Sequence, residues 1–172
     1  QPVILARLRG ELSTLIASLP SVEAMNLGGG AGWPEALARA RLGDASAGQE
    51  LVVLLGAARA DVRAEAARAI AALGVGAARA ALANVRKHDS DPSVRAEAAV
   101  AALTLGDDSA REQVEAVFTA ARSADPPETE VTRRAALALA RTDPERVRDV
   151  LLEFLQDTGA SERERVRALR AL

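Results

Sequence analysis

The chain has 172 residues, a formal net charge of −2 and no cysteine, and 49% of its residues are hydrophobic but only 2% aromatic. That balance excludes a disulfide framework and thiolate chemistry and offers no bulk attraction for nucleic acid or an anionic membrane. It also leaves the core to Ala, Leu and Val; alanine is the best helix former, so the composition points to an all-α chain.

In chain order, Pro2 suits the first turn of a helix reaching about Leu19. Leu5, Leu8, Leu12, Leu15 and Leu19 fall 3-4-3-4 along one face of it. Such a seam fits a helix lying on a first repeat; the alternative is a partner-binding or dimerising helix. Pro20 ends it, and residues 21–32 form a loop containing Gly28, Gly29, Gly30 and Gly32. This loop lacks the third glycine of the dinucleotide fingerprint, and no Gly-Lys-Ser/Thr follows, so it reads as a flexible connector. Residues 1–31 are thus an N-terminal helix with its connector, and residues 32–172 an array of helical repeats.

The array is announced by self-similarity at a fixed period, the mark of a repeat architecture. Residues 62–74, VRAEAARAIAALG, match residues 94–106, VRAEAAVAALTLG, at nine of thirteen positions. Leu-Gly pairs end at Gly43, Gly74 and Gly106, spacings of 31 and 32 residues. Glycine just past a helix end tolerates the left-handed backbone required there. The periodicity predicts helices over 34–42, 47–58 (capped by Ser46), 61–73, 77–86 and from Val94 to just before Gly106. They continue over 109–122, with Val114, Val117 and Phe118 on one face, and over 131–140, where Thr132 stands in the arginine position. Asp143-Pro144 opens the most amphipathic helix, with Val147, Val150, Leu151, Phe154 and Leu155 on one face. A last helix begins near Glu162. The unit is helix, short turn, helix, and the whole is an α-α superhelix of four to five helical hairpins.

The stretch around Val94 is apolar on two sides. Val94, Ala98, Ala101 and Leu105 share one face and Val100 and Leu103 lie opposite, so this helix should be sandwiched within a stack. The sequence starts at Gln1 and stops at Leu172 inside a helical pattern without a capping repeat, so it is expected to be a piece of a longer protein. The apolar edge of Val166, Leu169 and Leu172 is then expected to be covered by further repeats or by another chain.

The pattern Asp-x-x-Val-Arg over residues 91–95, running into an alanine-rich helix closed by Leu105-Gly106 and recurring about every 30 residues, resembles the short HEAT repeats. More narrowly it resembles the type first described in phycobilisome-linker lyases. The resemblance covers residues 32–172. It implies antiparallel helix pairs stacked into a right-handed superhelix, with the second helix of each pair lining the concave side. It also implies a scaffold whose partner is another protein or peptide.

Chemistry-bearing motifs are sparse. His88 is the one histidine, with no second histidine or cysteine to complete a zinc site and no triad to serve, so it reads as a turn residue. Asp89 and Asp91 imitate the start of a calcium loop, but Val94 and Val100 occupy the positions that need glycine and glutamate. No cofactor, metal or catalytic residue is expected. No apolar run approaches the ~18 residues of a membrane span, and the start does not read as a secretory signal, so the expected compartment is the cytoplasm.

Arginine is the recurrent polar feature. Arg63 and Arg95 occupy one repeat position, with Arg68, Arg133 and Arg134 nearby in sequence or repeat register. Two readings stand: a ladder bonding each repeat to its neighbour, or a basic stripe that grips an acidic partner. Glu65 and Glu97 interrupt the stripe, which argues against a nucleic-acid groove. The candidate partner-binding residues are therefore Arg63, Arg68, Arg95, Arg133 and Arg134. The function expected is a protein-interaction scaffold. The alternatives are a DNA-backbone binder or repair glycosylase, with Trp33 as the large aromatic to probe a base, and a chromophore lyase subunit.

Overall fold

Nine α-helices and no strand make up residues 33–156 and 162–172, the part of the chain that the computed structural model describes. They are α1 (Trp33–Arg41), α2 (Gly48–Leu54), α3 (Ala60–Leu73), α4 (Arg79–His88), α5 (Pro92–Thr104), α6 (Arg111–Ser123), α7 (Thr129–Leu139), α8 (Pro144–Gln156) and α9 (Glu162–Ala171). The helix expected over residues 2–19 and the glycine-rich connector lie outside the described residues.

The helices alternate in character. The first helix of each pair (α2, α4, α6, α8) is amphipathic and buries one stripe: Leu82 and Val85 in α4, Val114 and Phe118 in α6, Val147, Leu151 and Phe154 in α8. The second helices (α3, α5, α7) are rich in alanine and bury both flanks. In α5 the run from Ala98 to Leu103 is buried throughout, as is Val94, so both faces read from the sequence are covered. Second helices pack on second helices: α1 on α3, α3 on α5, α5 on α7, α7 on α9. First helices make no comparably close approach to one another. A stack tighter along one layer than the other must curve toward the tighter layer, which puts the second helices on the inner side. Alanine makes the close approach possible: Ala66, Ala67, Ala98, Ala101, Ala135 and Ala136 have no side chain to hold the backbones apart, and all are fully buried.

Helix ends follow the sequence with two corrections. The first is that the helix expected over 47–58 stops at Leu54, where tighter turns such as Gly56 N–H to the Val53 carbonyl replace the helical ladder. Gly43, Gly74 and Gly106 take φ of 78°, 70° and 92°, as the Leu-Gly closures require. Asp91 caps α5 by accepting from the Ser93 and Val94 amides, ahead of Pro92 at the first helical position. Ser46, expected to cap the second predicted helix, does not. The acceptor is Asp44, which takes the Ser46 amide at 3.0 Å and the Ser46 hydroxyl at 2.6 Å. It thereby closes the 3₁₀ turn Ala45–Ala47 that leads into α2. Asp107 does the same for Ser109 before α6, at 3.1 and 2.6 Å. A carboxylate outcompetes a hydroxyl for these amides, and the serine becomes a donor. The bonds from Ser46, with a further one from Arg39, hold the Asp44 carboxyl at about 2. Asp107 is lowered mainly by the Ser109 hydroxyl, with burial opposing.

The glycine closures yield a graded prediction. Alanine at Gly74 or Gly106 would be forced into the left-handed region at a cost of about 1–2 kcal/mol. At Gly74 a Cβ would meet nothing within 4 Å, whereas at Gly106 it would stand 3.2 Å from the Arg141 guanidinium. Urea titration should therefore show Gly106→Ala as the more destabilised of the two. Equal losses would mean that Arg141 moves aside without cost, and the reverse order would contradict the prediction.

Candidate partner-binding groove

The inner face of α3, α5, α7 and α9 forms a groove of about 740 Å³. Repeat register explains its lining. Three rows run across the second helices, and all their members but Glu65 line the groove: Glu65, Glu97 and Arg134; Arg68, Val100 and Leu137; Ala72, Thr104 and Arg141. Each row holds positions that recur at the repeat spacing, one turn apart along the helix, so they project to the same side. Val100 and Leu137 of the middle row, with their neighbours Ala71, Ala101 and Ala140, give an apolar floor.

The charged members of the rows alternate in sign. Arg41 pairs with Glu65 at 3.0 Å, Glu65 with Arg68 at 3.1 Å, Arg68 with Glu97 at 3.8 Å and Glu97 with Arg134 at 2.7 Å. Glu130 extends the chain to Arg134 at 3.9 Å. Four second helices are thus stitched along their inner side by one ionic zipper. Its outer members are solvated, and such pairs contribute little each. Glu97, only 11% exposed, receives arginines from both neighbouring helices and is the firmest link. Two arginines of the groove stand apart from the zipper. Arg141 and Arg170 are exposed and make no ion pair or hydrogen bond with any described residue.

The five candidate arginines divide between two places. Arg68 and Arg134 line the groove. Arg63, Arg95 and Arg133 sit at helix starts, outside its lining. Arg63 donates from Nε and Nη2 to both oxygens of Asp89 at 2.7 Å and from Nη1 to the carbonyls of Ala57 and Ala58. It therefore ties the turn after α2 to the turn after α4. The bidentate bond to Asp89 raises the Arg63 pKa and holds the Asp89 carboxyl below the usual carboxylate range, against burial in both cases. Arg95 repeats the carbonyl half of this pattern, donating to Asp89 and Ser90. In α7 the register holds but the residue changes. Thr132, aligned with the arginine position, is buried, and Arg133, the next residue, is half-buried instead, 4.9 Å over the Phe154 ring and 3.0 Å from Glu130.

Sequence reasoning missed Arg141 and Arg170. The signal was available for Arg141, which falls in register with Ala72 and Thr104, but those positions hold no arginine in the other repeats and Arg141 lies just past the helix expected over 131–140. Trp33, the residue that could have probed a base, packs against the core with the Arg59 guanidinium 5.6 Å from its ring centre. His88 ends α4 and is exposed. Asp89 and Asp91 are engaged by Arg63 and by the α5 amides, and no cluster among the described residues has the makeup of a metal site. No helix among the described residues is long and apolar enough to cross a membrane. On α9 and just past its end, Val166, Leu169 and Leu172 are 39, 65 and 48% exposed.

Among curated proteins and among solved structures, nothing matches the chain. The family of HEAT repeats matches residues 80–170, more than half of it, which takes in α5 to α8 whole and most of α4 and α9. With stacked antiparallel hairpins, a second-helix inner layer and this match together, the chain belongs to the HEAT-repeat family.

Proposed function

We propose that the chain is a non-catalytic interaction scaffold that holds a segment of a partner protein in the groove between α3, α5 and α7. HEAT repeats are a fold generally used for protein–protein scaffolding. The observation that carries the reading is the groove itself: a concave apolar floor flanked by polar groups, the usual form of a recognition site. Among the candidate arginines, Arg68 and Arg134 belong to this site. Arg63, Arg95 and Arg133 support it from behind by holding helix starts in place. The exposed edge of α9 supports a second protein contact there. A DNA backbone finds less support, because Glu65, Glu97 and Glu130 alternate with the inner arginines and would repel it. The repeat spacing supports the short phycobilisome-lyase-like subtype, and no cluster of groups in the groove supports a lyase reaction.

Ala72 gives a clean test, since it is exposed and lines the groove. Ala72→Trp fills the groove without entering the core. Peptides selected on the full chain from a random display library should lose binding to this variant by more than about tenfold, one or two well-buried contacts' worth. Its thermal midpoint should stay within a few degrees, about what a neutral surface change allows. Peptides that bind the folded Ala72→Trp chain undiminished would refute the groove.

A further inference from the structure

We infer that the bound segment carries carboxylate side chains beside its apolar anchors, and that Arg141 and Arg170 receive them at one end of the groove. The inference rests on the groove reading above and adds the chemistry of its occupant.

The groove is electrically uneven. Along its α3–α5–α7 portion every arginine has a glutamate: Arg68 has Glu65 and Glu97, and Arg134 has Glu97 and Glu130. Toward the ends of α7 and α9, Arg141 and Arg170 line the same groove with no anionic partner among the described residues. They flank Leu137 and Ala140 of the apolar floor. Arg141 lies just past the C-terminus of α5, near enough to Gly106 that a Cβ there would be 3.2 Å from its Nη1. The partial negative charge of a helix end favours a cation at that spot, which explains how Arg141 is placed. A helix end carries only a partial charge, so it does not neutralise Arg141, and the Leu105 carbonyl at this end also accepts from Arg79. Two guanidiniums with no anionic partner among the described residues, next to an apolar strip, fit a ligand that is apolar with a local anionic end. A polyanion does not fit, since it would have to run past Glu65, Glu97 and Glu130 on the same face. An acidic peptide segment of a partner protein does: its aliphatic side chains meet Val100 and Leu137, and its Asp or Glu residues meet the two arginines.

The test uses the full chain and a random short-peptide display library at low salt. Selection should enrich peptides with Asp or Glu adjacent to aliphatic residues. A fluorescent copy of an enriched peptide should bind Arg141→Gln/Arg170→Gln about tenfold or more weakly, as expected for losing charge-assisted hydrogen bonds. The same peptide with its acids changed to amides should bind wild type as weakly, and should lose nothing further on the double variant. Arg141→Lys/Arg170→Lys should keep most of the affinity. Equal binding of the acid and amide peptides to wild type overturns the inference without any variant having to fold. So does acid-peptide binding that is unchanged on the folded glutamine variant.

The groove and its charge fail separately. Neutral peptides that are excluded by Ala72→Trp keep the groove and sink the acidic partner. Acidic peptides indifferent to Ala72→Trp place binding elsewhere and sink both. A second copy of the chain as occupant, seen as a dimer in sedimentation that Ala72→Trp abolishes, also overturns the inference.

Discussion

Asp89→Ala is expected to destabilise the fold by about 2–3 kcal/mol, less than the ~3–5 of a fully buried broken pair. Asp89 and Arg63 are 7 and 13% exposed, so removing the carboxylate leaves a largely desolvated guanidinium with only the Ala57 and Ala58 carbonyls. The Asp91 amide, which donates to Asp89 at 2.9 Å, loses its acceptor as well, so the capping turn of α5 loosens. Urea unfolding with an unchanged slope would measure this. A loss of about 0.5 kcal/mol, ordinary for a surface substitution, would show that the bond between the two turns is incidental. The same carboxylate makes stability depend on pH. Its pKa is lowered in the folded state, first by the Arg63 hydrogen bonds, so its contribution is complete above the unfolded value of about 3.9. As pH falls below that value the unfolded chain takes up the proton first, and the contribution is lost as pH passes through the lower folded value. Asp44 and Asp107, lowered by their serines, act in the same direction. In Asp89→Ala the acid-side decline should be shallower than in wild type.

Ala98→Leu is the other large effect, about 1–3 kcal/mol of overpacking. Ala98 is fully buried in α5, the helix enclosed by α3, α4, α6 and α7. No side of it can yield without shifting a neighbouring repeat. Because each repeat is stabilised through its neighbours, the strain should broaden the transition as well as lower its midpoint. An unchanged melting curve would mean that the second helices are not in the close alanine-mediated contact described above.

Much of the fold was legible because the residues that end helices are few and repeat. Leu-Gly at 43, 74 and 106 and Asp-Pro at 91 and 143 mark boundaries through backbone conformation alone, which neighbouring repeats do not alter. Helix character was also legible: one-sided apolar spacing in α8 and two-sided spacing in α5 announced their positions in the stack. The Ser46 cap was misread because Asp44 and Ser46 both qualify as caps by residue type, and their competition is decided by charge and geometry. The groove was only half legible. Counting arginines found Arg68 and Arg134, but it grouped them with Arg63, whose partner Asp89 lies 26 residues away across a turn. Long-range pairings of this kind leave no local pattern. Arg141 escaped because it falls just past the predicted end of the helix over 131–140, at a row position that the other repeats fill with Ala72 and Thr104 rather than arginine.

The claim that the inner layer is the recognition surface can be tested by the chain's own alanines. With alanine methyls labelled, titration of a library-selected peptide should shift Ala71, Ala72, Ala101 and Ala140, which line the groove. The exposed alanines of the first helices, Ala80 in α4 and Ala116 and Ala120 in α6, should stay in place. Shifts confined to Ala80, Ala116 and Ala120 would put the partner on the outer layer and contradict the account.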